Sequence, residues 1–385
     1  MAERRIAVLT TGRQDFGILR STLHALQAHP WLRPRVWAGG MHLGPRFGNT
    51  IDLVRADGIV VHRELAPAGA ADGPVEDAAQ MLRTCAAALR EERPDALVLV
   101  GDRTETAAAA LAAAMTGVPI VHLHGGEESE GAVDNALRHA VTKLAHLHLV
   151  SHELHAERVR QMGEPSEHVI VVGPAGVDNL LRTDLADATE LAAFLGGPLG
   201  GDVLLITQHP TTLGGAAAAE AEAIAEAVSS HRGTIVITQP NADTGAQAIR
   251  NVWQHLATSG HDVRVVDALG ERRYWGLLRM TAAVIGNSSS GVIEAPAAGI
   301  PSLTVGDRQR GRLLPAGVLA VASDAIAIRE ALHDALAGRP PRDACEAAPY
   351  PDGPVAPRII AALEQWTPPV PARKSFERMP CATSY

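Results

Sequence analysis

Short apolar runs alternate with longer amphipathic stretches along most of the chain, and that alternation leaves few folds open. The runs at residues 6–9, 36–38, 59–62, 96–100, 120–123, 147–150 and 169–172 are too short for helices and predict strands. The stretches 19–27, 75–90, 104–115, 133–144 and 153–162 between them carry helical periodicity. Pro94 and Pro119 stand just before strands, where proline ends the preceding helix. The pattern then restarts. Strands are predicted at 203–207, 234–238, 263–266, 283–285 and 302–305, with helices at 216–229, 246–256, 273–279, 292–298 and 326–336. Strand–helix repeats of this kind build parallel sheets covered on both faces by helices.

With 385 residues the chain exceeds one ordinary core, so two domains are expected. The glycine- and proline-dense segment LGGPLGGD (195–202) is the clearest punctuation, placing the boundary between about 177 and 201. The expected division is residues 1–185, residues 186–366 and a proline-rich tail, 367–385, lying on the surface. The expected fold is α/β: two Rossmann-like domains whose parallel sheets face a cleft. In such folds ligands bind where strands end and helices begin, because backbone N–H groups are unpaired there.

Aromatic residues are only 3% of the chain against 46% hydrophobic, so the cores must be built from Ala, Val, Leu and Ile. A net charge of −9 offers no general field for nucleic acid or an anionic membrane. An anionic ligand would have to be held locally, by loop arginines and helix N-termini. Cys85, Cys345 and Cys381 form no CxxC pair, which argues against a disulfide framework and fits a reducing cytoplasm. No apolar stretch is long enough to span a bilayer, and the first apolar run is too short for a signal peptide. Self-association into a homo-oligomer is left open.

Every chemically suggestive motif falls just after a predicted strand. TGRQDFG (11–17) puts Arg13 at a helix entrance, where it suits a phosphate or simply faces solvent beside a capped turn. GDRTE (101–105) places Asp102 and Arg103 at a strand end, as a helix cap or as a proton-transfer carboxylate. The stretch from His122 through His124, Gly125, Gly126 and Glu127 to Asp134, Asn135 and Arg138 is the richest. His122 and His124 have strand spacing and would share a face, yet the open spacing of further ligands does not build a metal site. Asp134 and Arg138 fall four apart on a helix and could be a surface ion pair. The glycine pair argues instead for close approach to a ligand.

In the second half, His209 follows a strand in QHPTTL (208–213) as a candidate general acid or hydrogen-bond donor to a phosphate leaving group, with a plain loop histidine as the other reading. Asn241 lies in PNADTG (240–245), whose residues also suit a turn. Ser288, Ser289, Ser290 and Gly291 would open a helix bearing Glu294, making an anion cradle with a ribose acceptor, or merely a capping box. GDRQRGR (306–312) packs Arg308, Arg310 and Arg312 into one loop with Gln309, a local basic patch fit for a diphosphate.

The ordered series TGRQDFG, GDRTE, HLHGGEESEGAVDNALRHAVTKLAHLHLVS (122–151), QHPTTL, PNADTG, GNSSSGVIEAPAAGIP (286–301) and GDRQRGR resembles the UDP-N-acetylglucosamine 2-epimerases. It is nearest the hydrolysing branch, which makes N-acetylmannosamine for sialic acid and related pathways. The resemblance runs from about residue 6 to 312. It implies a GT-B-like fold, that of two-domain nucleotide-sugar glycosyltransferases, with UDP held mainly by the C-terminal domain. It also implies an enzyme that eliminates UDP across C1–C2 of the sugar, forming a bound 2-acetamidoglucal, and then adds water. No cofactor and no metal are expected. It places Arg13 near the nucleotide phosphates and makes Asp102 and Asp134 proton-transfer carboxylates. His209 corresponds to a histidine required for catalysis. Ser288, Ser289 and Ser290 are implied on the diphosphate, Glu294 on the ribose and Arg312 on a phosphate. The same motifs add His124 and Glu127 to the candidate catalytic set. Arg103, Arg138, Asn241, Gly291, Arg308 and Gln309 join the ligand-binding set. Two positions depart from the family: some hydrolysing members carry glutamate where this chain has His124, and Asn135 stands where a second acid is common. The non-hydrolysing branch usually opens with a GTRPE-type loop and a later lysine, which TGRQDFG does not match. A glycosyltransferase on the same fold and a nucleotide-sugar sensor with a decayed site are the rival readings.

Overall fold

The computed structural model describes residues 2–44, 48–69, 73–128, 133–210, 217–240, 245–338, 350 and 353–377; the side chains of 133, 134 and 217 lie outside the description. The chain divides into two compact units. The first comprises Met1–Glu127, Val133–Asn179 and Tyr350–Tyr385; the second comprises Glu128–Ala132 and Leu180–Pro349.

The first unit begins β1 (Arg4–Thr10), α1 (Arg13–Ala28), β2 (Leu32–Gly40), α2 (Ile51–Ala56), β3 (Val61–Pro67) and α3 (Pro74–Glu92). It continues β4 (Ala96–Val100), α4 (Thr104–Thr116), β5 (Ile120–Leu123), α5 (Val133–Leu144), β6 (Leu147–Val150), α6 (Glu153–Gln161) and β7 (Val169–Val171). Its seven strands pair in the order β3-β2-β1-β4-β5-β6-β7, all parallel. Alternation along each strand supplies both faces with apolar side chains. Ile6, Val8, Val98 and Val100 pack on one face with Leu19, Leu23 and Leu26 of α1. Ala7, Leu9, Leu97 and Leu99 pack on the other with Met81 and Leu89 of α3 and the alanines of α4. Those small residues let helices approach the sheet closely, so few aromatics are needed.

The second unit comprises α7 (Ala188–Leu195), β8 (Val203–Thr207), α8 (Ala217–Val228), β9 (Ile235–Thr238), α9 (Ala246–Ala257), β10 (Val263–Val266) and α10 (Glu271–Leu278). It closes with β11 (Thr281–Gly286), α11 (Glu294–Ala297), β12 (Ser302–Val305), β13 (Val318–Val321) and α12 (Ala325–Leu336). Its six parallel strands run β10-β9-β8-β11-β12-β13. Leu204, Ile206, Ile235, Ile237 and Ile285 face α8, α9 and α12; Val203, Leu205, Val236 and Val284 face α7 and α10.

Two parallel-sheet α/β units therefore stand as expected. Several elements do not. The third strand starts at Val61 rather than 59, and α1 begins at Arg13, so Arg13 and Asp15 form the first helical turn instead of a loop. The helix expected over 292–298 shrinks to the four residues of α11, preceded by a 3₁₀ turn at Ser289–Gly291. Both α7 and β13 are additions to the expected pattern, as is a final helix, α13 (Ala356–Gln365).

That last helix corrects the expected division, because residues up to 366 do not stay with the second unit. Ile359, Ala362, Leu363 and Trp366 are buried against Leu19, Leu23 and Leu26, completing the first unit's core. Asp178 accepts the N–H groups of Val355 and Ala356 at 2.7 Å each, satisfying donors at the helix start. Arg4 donates to the carbonyls of Leu363 and Trp366 at its end, both at 2.6 Å. The crossing out of the first unit lies at Asn179/Leu180, a few residues before the expected cut at 185.

Beyond α13 the chain lies along the surface of the first unit, fastened at Glu164. That buried carboxylate accepts from Lys143 at 2.5 Å, Lys374 at 2.6 Å and His148 at 3.1 Å. Burial alone would raise its pKa, but the hydrogen bonds from His148, Lys143 and Lys374 outweigh burial and hold it at about 2. A depressed carboxylate contributes stability that is complete above its unfolded pKa, near 4.5, and is lost as pH falls towards 2. Glu164→Gln should lose about 3 kcal/mol at neutral pH and flatten the stability profile below about pH 4.5. Urea unfolding of both proteins across that range checks this; parallel acid limbs would contradict it.

Candidate functional site

In each sheet the strand order reverses direction at one point, β1/β4 in the first unit and β8/β11 in the second. Chains leaving neighbouring strands there diverge to opposite faces, opening a crevice at the strand ends. Arg13 and Asp102 follow β1 and β4, and His209 and Ser288 follow β8 and β11, so each unit has candidate residues at its reversal, with others after the neighbouring strands β5 and β12.

In the first unit, Arg13 opens α1 and is exposed, and Thr11 before it is buried. Thr11 donates to Asp15 through its N–H at 3.1 Å and through its hydroxyl. Burial raises the Asp15 pKa, opposed by the Thr11 hydroxyl and by Arg103. From the next strand end, His42 is wholly buried between the hydroxyls of Thr10 (2.9 Å) and Thr50 (2.8 Å). Burial pushes its pKa down to about 4, so it is neutral at physiological pH. Arg103 occupies the N-cap of α4 and pairs with buried Glu105 at 3.3 Å. Asp102 is therefore not the cap; it is left to another partner.

That partner is Arg138. Arg138 is 4% exposed, and its guanidinium reaches from α5 to three acceptors. Nη2 donates to Asp102 Oδ2, while Nη1 donates to Glu127 Oε2 at 3.2 Å and to the His124 carbonyl at 3.1 Å. The surface-pair reading with Asp134 fails for Arg138, which is buried; Asp134 lies in the first turn of α5 with its side chain outside the description. Glu127 Oε1 accepts from His124 Nδ1 at 2.7 Å and Ser151 Oγ at 2.9 Å. Burial would raise the Glu127 pKa, but His124 and Arg138 hold it well below the usual carboxylate range. Asp102, with 21% of its side chain exposed, is the carboxylate of this network that meets solvent.

The backbone is shaped to permit this. β5 ends at Leu123 and His124 takes φ +62°, a left-handed conformation uncommon outside glycine and a form of strain concentrated at functional sites. The strand alternation that would have put His122 and His124 on one face stops there. His122 instead donates Nε2–H to the Gly101 carbonyl at 2.8 Å, and burial pushes its pKa down to about 3. His124 Nε2 accepts the Ala175 N–H at 3.4 Å, so its proton sits on Nδ1, facing Glu127. Gly126, at φ +77°, packs where any Cβ would strike the His155 carbonyl. His155 lies behind Ser151 at 2.9 Å and is pushed down to about 4, chiefly by burial. Among the described residues no group of three His, Cys, Asp or Glu side chains is placed to hold a metal ion.

In the second unit, β11 ends at Gly286, where φ is +131° and a Cβ would overlap the Thr207 carbonyl of β8. Only glycine lets the two strand ends close so tightly. Asn287, next in the chain, is wholly buried. Its Oδ1 accepts the His209 N–H at 2.7 Å and its Nδ2 donates to the His209 carbonyl at 2.8 Å. Its own carbonyl accepts from Arg308 Nη1 at 2.9 Å and Gln309 Nε2 at 2.7 Å. His209, the serine loop and the arginine loop are thus joined at one residue. Ser288 Oγ accepts from the Ser290 hydroxyl at 3.1 Å, and Gly291 closes the 3₁₀ turn against Ser302. Tyr274 of α10 brings its hydroxyl near Ser290 and Glu294, and burial pushes its pKa up. Glu294 and Arg312 are half-buried in this unit. With α11 only four residues long, the serine loop presents hydroxyls and a 3₁₀ turn rather than the start of a long helix. Asn241 lies outside the described residues.

Sequence reading missed Asp15, His42, Ser151, His155 and Asn287. Asp15, Ser151 and Asn287 stand inside quoted motifs, so their signal was present. His42 and His155 lie outside them, and only burial reveals them.

An arginine fork spanning two carboxylates cannot be replaced by a point charge or a neutral chain. Arg138→Met should cost about 3–5 kcal/mol, because Glu127 stays buried without its cation. Urea unfolding at neutral pH measures it; a loss below about 1 kcal/mol would mean the fork is not formed.

Residues 24–364 match the model of the family described as UDP-N-acetylglucosamine 2-epimerase. A Campylobacter jejuni protein named GDP/UDP-N,N'-diacetylbacillosamine 2-epimerase (hydrolyzing) is 30% identical over 319 residues, 81% of this chain and 83% of that one. A Legionella pneumophila protein named UDP-N,N'-diacetylbacillosamine 2-epimerase (hydrolyzing) is 31% identical over 338 residues, 86% of this chain and 89% of that one. The solved structure of a Neisseria meningitidis UDP-GlcNAc 2-epimerase bound to UDP-GlcNAc shares the fold, with TM-score 0.77 at 19% identity. That match covers 94% of this chain and 100% of the other.

Proposed function

Because the chain belongs to the UDP-N-acetylglucosamine 2-epimerase family, we propose that it is a hydrolysing 2-epimerase of a UDP-linked 2-acetamido sugar. The observation that carries this reading is the buried network of Arg138, Asp102, Glu127 and His124 at the end of a parallel sheet. It holds one carboxylate ionised and presents another to solvent, which is what removal of a weakly acidic C–H proton requires.

The reaction proceeds in two stages. A carboxylate of the first unit takes the C2 proton, the C1–O bond breaks, and UDP departs with the bonding pair, leaving a 2-acetamidoglucal. Water then adds its oxygen to C1 while a proton returns to C2 from the opposite face, giving the manno-configured sugar. Asp102 and Asp134 are assigned to these proton transfers, with Glu127 holding Arg138 and His124 in place. His209, Ser288, Ser289, Ser290, Arg308 and Arg312 are assigned to the departing diphosphate, whose charge grows as the bond breaks. Glu294 is assigned to the ribose, and Arg13 to the nucleotide phosphates.

The relatives' names divide on the sugar. UDP-N-acetylglucosamine and UDP-N,N'-diacetylbacillosamine are accordingly the two substrates to offer. Incubated with each and no acceptor, the protein should release UDP together with the 2-epimer of the sugar. Release that waits for an acceptor would assign a glycosyltransferase, and a UDP-linked epimer would assign the non-hydrolysing reaction. Asp102→Asn and His209→Ala should each lower kcat at least about a hundredfold in a folded protein. Ser289→Ala should mainly weaken UDP binding, by about tenfold, read by calorimetry. Near-normal turnover in both of the first two variants would remove the assigned roles.

A further inference from the structure

The side chain of Asn287 is wholly buried. Both of its polar atoms are spent on the backbone of one residue, His209: Oδ1 accepts that residue's N–H at 2.7 Å and Nδ2 donates to its carbonyl at 2.8 Å. The regular pairing of β8 with β11 stops at Thr207 and Gly286, with one further backbone bond from the Asn287 N–H to the Thr207 carbonyl at 3.1 Å. Beyond this point the chain after β8 has left the sheet. The Asn287 amide continues the ladder in place of a backbone, gripping the residue that carries the imidazole.

The chemistry of that grip is narrow. It needs one donor and one acceptor, coplanar, on a single-methylene stem. Aspartate supplies two acceptors when ionised and sets a charge against the His209 carbonyl. Glutamine adds a methylene that displaces both polar atoms from the His209 backbone, and alanine offers neither atom. The other contacts of Asn287, from Arg308 and Gln309, are made to its backbone carbonyl and survive a change of side chain. Side-chain substitution therefore isolates the tie to His209.

We infer that Asn287 is a positioning residue for the reaction, its carboxamide holding the His209 backbone so that the imidazole meets the departing diphosphate. Asn287 acts on turnover through His209 and leaves nucleotide affinity to the serine and arginine loops. A proton donor displaced by about 1 Å can lose about a hundredfold in rate, so loss of the grip is read in kcat.

This inference rests on the hydrolysing-epimerase reading, and the two fail differently. A wild-type protein that releases UDP from neither sugar nucleotide sinks the reading of function; an active wild type is the reference for every variant. Asn287→Ala should lower kcat by about tenfold or more while the Kd for UDP stays within about threefold. In a His209→Ala background the same change should lower kcat no further, because its target is gone. Asn287→Asp guards against a variant that fails to fold. Protonated, its carboxyl again donates to the His209 carbonyl while accepting the N–H, so its kcat relative to wild type should rise as pH is lowered from about 8 to about 5.5. Thermal melting with and without UDP accompanies each variant. The inference is overturned if Asn287→Ala keeps kcat within about twofold, if its effect is equal with and without His209, or if the aspartate variant shows no recovery in acid.

Discussion

A guanidinium that is almost fully withdrawn from water must be answered by anions, and Arg138 is answered by two. Much of the first unit's architecture serves that one requirement. Asp102 comes from the turn after β4, Glu127 from the loop after β5, and Arg138 from α5, so neighbouring strand ends and a helix are tied at one point. The loop carrying Glu127 can bring its carboxylate there only because His124 accepts a left-handed backbone and Gly126 has no side chain to strike His155. The result is a fixed charge pattern in which one carboxylate is locked and the other remains accessible.

The second unit draws three strand-end loops together without a long helix. The serine loop forms a 3₁₀ turn, and the loops carrying His209 and Arg308 meet it at one buried asparagine; holding a diphosphate is the role proposed for them. Gly286 allows the strands to close, and Asn287 then acts as a joint for three loops. In the proposed reaction, fixed placement of this kind would limit the reorganisation demanded when the diphosphate departs.

Much of this was legible in the sequence. The strand–helix alternation yielded both sheets, because buried parallel strands are short apolar runs that glycine and proline punctuate. The motifs lay where strands end, so their residues could be named before the structure. What escaped was long-range. α13 reads as part of the second half because sequence order says nothing of its return to Leu19 and Leu23, and β13 carries too little buried surface to stand out. Asp102 and Arg138 were both named as site candidates, beside the readings of a helix cap and a surface ion pair. Their pairing with each other was not legible, since only the fold brings them together across distant positions. Asn287, His42 and His155 act through hydrogen bonds that leave no periodic trace.

Turnover in D2O, with mass and NMR analysis of the released sugar, reads whether a proton leaves C2 of a UDP-linked 2-acetamido sugar and another returns once UDP has gone. One deuterium at C2 of a manno-configured product is expected, with none elsewhere on the ring carbons. UDP release yielding a sugar with ordinary hydrogen at C2 and unchanged configuration would rule the epimerisation out.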